Sequence, residues 1–243
     1  MFGKKEIVPV TDFSSIKTDI HSHLIPGIDD GAKTMDDSIE LIRAQYALGI
    51  RNFITTPHIM SDFFKNTPEI IIGGLNELRL VLKQENIEVQ IDAAAEYYLD
   101  EGFVKKLDSE PLLTFGDNYL LFEISYINAP ENLRDIIFRI QTNGYKPILA
   151  HPERYPFFYN RFDEYKKIRD LDVKLQLNIN SLSGYYGADA KRVAEKLIDA
   201  NLIDLIGSDM HHQRHAAAMR LVCNEKYFSK VASIDLLNKT IFS

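Results

Sequence analysis

The sequence predicts an α/β fold in a single domain, namely a closed or distorted barrel of alternating strands and helices. Short apolar runs alternate with helical patterns along most of the 243 residues. This alternation is typical of parallel strands joined by crossover helices. The length fits one large domain, and a β/α barrel is a common way to use it. An open doubly wound sheet is the alternative.

The apolar runs define the strands. We predict seven of them, at residues 18–22, 52–56, 89–95, 118–123, 146–150, 174–179 and 203–208. The alternation is interrupted at residues 97–117, where we predict no helix. With seven strands instead of eight, the barrel is expected to be distorted.

Helices are predicted between the strands, and their ends carry readable signals. The predicted ranges are about 35–48, 68–85, 130–143, 162–171 and 188–200, with further helix after 215. Thr34 is a suitable N-cap, and Pro68 and Pro130 suit the first turn, where a missing N–H costs nothing. Gly49 and Gly144 follow helical stretches, as a left-handed cap requires.

The composition narrows the expected cellular location of the protein and the classes of partner that it could bind. Residues 1–17 are predicted to form a short leader ahead of the barrel domain at 18–243. The net charge of −7 argues against nucleic acid as a partner. No stretch approaches the roughly 20 apolar residues that a membrane span needs. The single cysteine, Cys223, suits a reducing cytoplasm, so we expect a cytoplasmic protein without membrane insertion.

The histidines give the strongest functional signal. Five of the seven fall at or just after the end of a predicted strand, namely His21, His23, His58, His151 and His211. In a β/α barrel those strand ends meet on one face, where active sites are built. Residues two apart on an extended backbone point the same way, so the first two imidazoles could reach one ion. A lone histidine beside a strand is more often a core residue, but five together favour a metal site.

Carboxylates occupy equivalent places. Glu96 and Glu123 each end an apolar run, and Asp209 follows another. Buried and unpaired, such groups would be costly, and bound cations remove that cost. Mixed nitrogen and oxygen ligands favour Mn, Fe or Zn over Ca or Mg, without choosing among them. Asp30 is an open case, because Asp29 and Asp30 before Gly31 also form a common turn pattern.

Arg154 is the candidate phosphate clamp, since it lies three residues after His151 and a guanidinium holds two oxygens at once. Arg214 and Arg220 are weaker candidates, and His212 and His215 are expected not to be ligands. Other catalytic schemes fare poorly. The arginine that a thiol-type phosphatase loop needs after its cysteine is absent, and there is no Gly-x-Ser-x-Gly elbow, Walker loop or Cys-x-x-Cys pair.

These motifs resemble a known family. Residues 19–35 and Thr55-Thr-Pro-His58 resemble the bacterial manganese-dependent tyrosine-protein phosphatases of capsule and exopolysaccharide loci. These belong to the polymerase-and-histidinol-phosphatase superfamily. The resemblance continues through Glu96, Glu123, His151-Pro-Glu-Arg154 and Ser208-Asp-Met-His211, over about residues 18–215. It implies a distorted barrel of seven β/α units, which agrees with the strand count.

The resemblance also implies a cluster of three metal ions, with manganese as the expected metal and Fe, Zn or Mg as alternatives. The first ion would be held by His21, His23, Glu96 and Asp209. Glu96 would bridge to a second ion held by Glu123 and His151, and the third would be held by Asp30, His58 and His211. Arg154, Asp209 and His211 are the candidate catalytic residues.

The implied substrate is phosphotyrosine on protein, in particular the tyrosine-rich tail of a bacterial tyrosine kinase that drives polysaccharide export. Two alternatives are a small-molecule phosphatase of the same superfamily, acting for example on histidinol phosphate, and a non-enzymatic scaffold that binds the kinase. The presence of every expected ligand argues against the scaffold. The oligomeric state, the metal loaded in the cell and the general acid are not predicted.

Overall fold

The computed structural model describes residues 11–242, and every pair of neighbouring strands in that range is parallel. The strands are β1 Thr18–Asp19, β2 Asn52–Thr55, β3 His58–Ile59, β4 Gln90–Ala93, β5 Glu96–Tyr98, β6 Tyr119–Glu123, β7 Lys146–Ala150, β8 Lys174–Asn178 and β9 Leu205–Gly207. The predicted parallel α/β architecture is confirmed, and each predicted strand range contains at least one of these strands.

The strands form two sheets, with orders β1-β2-β4 and β3-β5-β6-β7-β8-β9. The division falls at Pro57, which has no N–H to donate to a sheet ladder. Its carbonyl still accepts from Glu96 N at 3.1 Å, so the two parts run on as neighbours. The prediction of one strand over 89–95, with Glu96 at the end of the same apolar run, is therefore wrong, because β4 ends at Ala93 and Glu96 begins β5.

The segments that follow β1 and β9 lie side by side. Asp209 N donates to His21 O at 2.7 Å, and His23 N donates to Met210 O at 2.9 Å. The buried side chain of Asn238 joins the same two strands further down. Its Nδ2 donates to the carbonyls of Thr18 and Ile206 at 2.8 and 2.7 Å, and its Oδ1 accepts from Ile206 N at 2.9 Å.

The helices are α1 Met35–Ala47, α2 Pro68–Gln84, α3 Glu101–Ser109, α4 Leu133–Thr142, α5 Asp163–Arg169, α6 Ala188–Asp199, α7 Gln213–Val222 and α8 Lys226–Ala232. The Thr34 cap, the Pro68 start and the left-handed Gly49 and Gly144 are confirmed. Pro130 does not start α4, because the chain makes a separate turn there and the helix begins three residues later. Helix α3 lies in the range where none was predicted. None of the helices in residues 11–242 is long and apolar enough to cross a membrane.

Two apolar clusters hold the fold. The larger lies between the sheets and the helices. The smaller consists of eight buried side chains, mostly from successive strands, namely Ile20, Ile54, Ala94, Phe115, Leu121, Ile148, Ala150 and Leu205. These can meet only because the sheet is curled. Within the predicted leader, residues 1–10 lie outside the described residues, whereas Phe13 is buried with its ring 4.5 Å from that of Phe228.

Replacing Asn238 by alanine should destabilise the fold, because one N–H and two carbonyls would lose a buried partner. We expect the free energy of unfolding in urea to fall by about 3 kcal/mol. The matched control is the exposed Asn224, whose replacement by alanine should change it by less than about 0.5 kcal/mol. Equal stability of the two variants would contradict the role given to Asn238.

Candidate metal centre

The candidate ligands lie at the carboxyl ends of the strands, as the sequence predicted. Two of them follow the ends of β2 and β4, where they begin the short strands β3 and β5, one ends β6, and the others lie in the loops that follow β1, β7 and β9. The donor atoms of eight of the nine, all but His151, fall into three groups, and within each group these atoms lie within 4.8 Å of one another. The groups share members, so the cluster is continuous.

The first group joins His21, His23, Glu96 and Asp209. The Nε2 atom of His21 lies 3.1 Å from Glu96 Oε2 and 3.4 Å from Asp209 Oδ1. The Nε2 atom of His23 faces the same two oxygens, at 3.5 and 3.4 Å. These are the four residues that the family resemblance assigns to the first ion.

The second group joins His58, Glu96 and Glu123. The Nδ1 atom of His58 lies 3.2 Å from Glu96 Oε2 and 3.4 Å from Glu123 Oε1. His151, which the resemblance assigns here, has its Nε2 atom 2.9 Å from Glu96 Oε1 and 3.9 Å from Glu123 Oε2. Both histidines therefore lie beside this pair of glutamates.

The third group joins His23, Asp30, His58 and His211. Asp30 Oδ1 lies 3.5 Å from His58 Nε2 and 3.3 Å from His211 Nε2. Asp30 is thus part of the cluster and not only of the turn before Gly31. The resemblance assigns three of these residues to one ion, and the geometry adds His23. All nine predicted ligands are brought together.

Oxygen atoms bind the outer nitrogen, Nδ1, of the His21 and His23 rings. The side chains that supply these oxygens, Gln176 and Asp29, were not predicted from the sequence to have this role. His21 Nδ1 lies 2.7 Å from Gln176 Oε1, and His23 Nδ1 lies 2.7 Å from Asp29 Oδ2. The Gln176 amide donates to a backbone carbonyl, which leaves its oxygen to accept. Such contacts place the ring proton on Nδ1 and leave Nε2 free to bind a cation. A fully buried glutamine in an apolar strand was the available signal for Gln176.

Close backbone approaches fix the same region. A Cβ atom on Gly31 would lie 2.3 Å from His23 Cβ, and one on Gly207 would lie 2.4 Å from His21 Cβ. Only glycine fits behind these two imidazoles. His151 and Asp209 adopt positive φ angles of 35° and 50°, which residues with side chains adopt at an energetic cost. The fold accepts this strain at two of the candidate ligands.

The buried charge suits divalent cations. Burial, and then the Glu96 and Asp209 carboxylates, raise the pKa of Glu123 well above its usual range. Burial also opposes ionisation of Glu96, but His21 and His58 outweigh it and hold the pKa of Glu96 well below its usual range. Within residues 11–242, the buried atoms Glu96 Oε2 and His58 Nδ1 make no hydrogen bond, although they lie only 3.2 Å apart. A cation would satisfy both atoms and keep Glu123 ionised, so the residues present fit a metal.

Arg154 reaches the cluster through Asp209. Its Nη1 atom donates to Asp209 Oδ2 at 2.5 Å, and the same oxygen accepts from Asn178 Nδ2 at 3.2 Å. The other oxygen, Oδ1, faces the Nε2 atoms of His21 and His23. The Asp209 carboxylate is therefore divided between the arginine and the imidazoles.

The weaker candidates lie outside the three metal groups. His212 and His215 belong to none of them, and His215 Nδ1 accepts from the backbone N–H of His211 at 3.1 Å. Arg214 and Arg220 are exposed. Tyr155 is a buried core residue, whereas Tyr126, at 39% exposure, lies against His151 and Arg154.

A curled parallel sheet whose strand ends carry a buried cluster of imidazoles and carboxylates defines an α/β protein with a candidate metal centre at that edge. The chain belongs to the capsular polysaccharide synthesis family CpsB/CapC, whose model matches residues 17–242. The family resemblance read from the sequence is confirmed.

Relatives of known name agree. Tyrosine-protein phosphatase YwqE of Bacillus subtilis is 30% identical over 236 residues, which cover 92% of this chain and 93% of YwqE. Crystal structures are known for YwqE and for CpsB from Streptococcus pneumoniae, which are described as metal-dependent tyrosine phosphatases. A chain from this set matches with a TM-score of 0.80 and 29% identity, over 93% of this chain and 96% of the other. Histidinol phosphate phosphatase from Lactococcus lactis shares the fold, with a TM-score of 0.51 and 14% identity over 89% and 93% of the two chains.

Replacing Glu96 by glutamine should weaken metal binding, because Glu96 is the one carboxylate that belongs to two of the three groups in residues 11–242. We expect the affinity for manganese to fall about tenfold or more, as measured by calorimetric titration of chelator-treated protein. The matched control is Glu153→Gln, because Glu153 is equally buried and belongs to none of the groups. If both variants bound manganese like the original chain, Glu96 would not be a ligand.

Glu153 gives a separate test through pH. Its Oε1 atom accepts from Ser181 Oγ at 2.6 Å and from Asn178 N at 3.1 Å, while burial raises its pKa from 4.5 to about 7. The folded protein therefore holds this proton more tightly than the unfolded chain. The resulting stabilisation is fully present below pH 4.5 and is lost as the pH rises through about 7.

Glu153→Gln removes this titration, so the variant should gain stability relative to the original chain as the pH rises. Urea unfolding at pH 5 and pH 8 should show a relative gain of roughly 2–3 kcal/mol. Comparing the two proteins at each pH cancels the titration of the other carboxylates. A difference that does not change with pH would show that Glu153 titrates normally.

Proposed function

We propose that this chain is a metal-dependent protein-tyrosine phosphatase that hydrolyses phosphotyrosine. The observation that carries the proposal is the cluster of nine imidazole and carboxylate residues at one edge of the sheet, with Arg154 bound to one of them. The names of its relatives support the substrate class. For a small-molecule phosphatase, the structural likeness to histidinol phosphate phosphatase supports a shared fold only.

We infer the following roles for the cluster. The three groups are the sites of a manganese cluster of three ions, with Fe, Zn or Mg as the alternatives. Divalent ions bound there would lower the pKa of water towards neutrality and offset charge on phosphoryl oxygens. His151 and His58 are both assigned to the glutamate pair, since both lie within 4 Å of it.

The candidate catalytic residues follow from their contacts. Arg154 keeps N–H groups beyond its bond to Asp209, and these bind the equatorial phosphoryl oxygens. Asp209 holds Arg154 with one oxygen and contributes the other to the metal site. His211, whose Nδ1 lies 2.8 Å from Asp209 O, directs Nε2 towards Asp30. Phenol is a fair leaving group, with a pKa of about 10, so little help from a general acid is needed.

We extend the proposal to the setting of the protein. Residues 18–243 are one domain, whose strands close as a distorted barrel of seven β/α units, and residues 1–17 are a leader. The Asp209–His21 and His23–Met210 backbone bonds support closure. The physiological partner is a phosphotyrosyl protein, namely a bacterial tyrosine kinase of capsule or exopolysaccharide synthesis, and the protein acts in the cytoplasm.

Phosphate release tests the function directly. The substrates are a phosphotyrosyl peptide, the matched phosphoseryl peptide and histidinol phosphate, each with added manganese and then with chelator. We expect release from the phosphotyrosyl peptide alone, and its loss on chelation. Release from histidinol phosphate alone would support the same active site but show that the substrate is a small molecule and not phosphotyrosine. If metal-loaded protein released phosphate from none of the three, the proposed enzyme would be wrong and a kinase-binding scaffold would be favoured.

A further inference from the structure

The guanidinium of Arg154 lies close to two tyrosine rings. Its Cζ atom is 4.2 Å from the centre of the Tyr186 ring and 5.2 Å from the centre of the Tyr126 ring. Both distances are within the range of attraction between a cation and an aromatic face. The two tyrosines come from different loops, one after β6 and one after the turn that follows β8. The arginine side chain is only 20% exposed.

Each of the two tyrosines is itself held in place. The Tyr186 hydroxyl accepts from Asn178 Nδ2 at 3.0 Å and lies 3.4 Å from His215 Nε2. Because His215 Nδ1 accepts from the backbone N–H of His211, the proton of its ring lies on Nε2 and points at this hydroxyl. His215 therefore supports Tyr186 instead of binding metal.

Tyr126 is held against a candidate metal ligand. Its ring lies nearly parallel to that of His151, with 5.9 Å between centroids and 15° between planes. Its hydroxyl lies 3.3 Å from His151 Nδ1, the nitrogen that faces away from Glu96. The same tyrosine thus contacts the arginine on one side and the metal cluster on the other.

We propose that Tyr126 and Tyr186 are positioning residues that hold the Arg154 guanidinium ready to bind the phosphoryl group. This inference rests on the proposed function. Aromatic rings close to a planar guanidinium restrict its movement and leave hydrogen bonding to the N–H groups along its edge. One of these groups is taken by Asp209, so the remaining ones stay available beside the metal cluster. An arginine already fixed in its binding geometry loses little further freedom when phosphate arrives.

A double-mutant cycle with Arg154→Ala separates positioning from a general structural effect. Tyr186→Leu should lower kcat/KM for the phosphotyrosyl peptide about tenfold when Arg154 is present. In the Arg154→Ala background the same replacement should change kcat/KM less than about twofold, because nothing is left to position. Tyr186→Phe keeps the ring and should stay within about threefold of the original chain. Tyr126→Leu should behave like Tyr186→Leu.

Tyr227→Leu is the matched control, because Tyr227 also lies near a cation, Lys230 Nζ at 5.8 Å, but on α8. It should leave kcat/KM unchanged. Manganese content is measured for every variant, so that loss of metal is not mistaken for loss of positioning. Equal effects of Tyr186→Leu with and without Arg154, or full activity of both leucine variants, would overturn the proposal.

Inorganic phosphate provides a readout that does not depend on turnover. Calorimetric titration of the manganese-loaded protein should show about tenfold weaker phosphate binding in Tyr186→Leu, and no further weakening when this change is added to Arg154→Ala. If the original chain hydrolysed no ester but bound phosphate in this pattern, the proposed function would fail and the positioning role would stand. If the affinity for phosphate were unchanged in both leucine variants, the positioning role alone would be overturned.

Discussion

Buried negative charge at one edge of the sheet is the constraint on which the rest of the structure depends. The side chains of Glu96, Glu123 and Asp209 are between 0% and 7% exposed and face one another through shared histidines. Without compensation such groups cost several kcal/mol each. Imidazoles and Arg154 offset part of that cost, and bound cations would offset the rest. Metal binding and folding are therefore linked, because a cation that binds only the folded chain stabilises it.

The buried carboxylates are compensated only if the imidazoles direct their free nitrogens towards them. The residues around the histidines hold the rings in that orientation. Gln176 and Asp29 each accept from the outer nitrogen of a histidine. Gly31 and Gly207 let backbone and imidazole approach closely. Because Gln176 and Gly207 are distant in the sequence from His21, which they support, this part of the site forms only when the sheet has curled. The geometry of the ligands is thus a property of the whole fold.

The sequence was sufficient to predict which candidate ligands meet at one edge of the sheet, but not to predict the side chains that support them. Parallel strands bring their carboxyl ends to one edge, so residues such as His151 and Asp209 could be assigned from position alone. Gln176 meets His21 across 155 residues, and no local pattern reports such a contact. Asp29 had a sufficient local explanation as a turn residue, which concealed its bond to His23. The interruption between β4 and β5 lies beside Pro57 of the neighbouring strand, so it could be predicted only from how the two strands pair. For this reason Glu96 was predicted at the end of one strand, whereas it begins another.

Asp209 links the two functions of the site. Its Oδ1 atom faces the imidazoles of the first metal group, while its Oδ2 atom holds Arg154 and accepts from Asn178. Asn178 in turn donates to Tyr186, one of the rings beside that arginine. A cation bound at Oδ1 therefore leaves the contacts of Oδ2 in place, and the guanidinium can be fixed whether or not the ion is present. If Arg154 binds phosphate and the imidazoles bind metal as proposed, the two oxygens of this one carboxylate set the distance between the two sites without any further element of the fold.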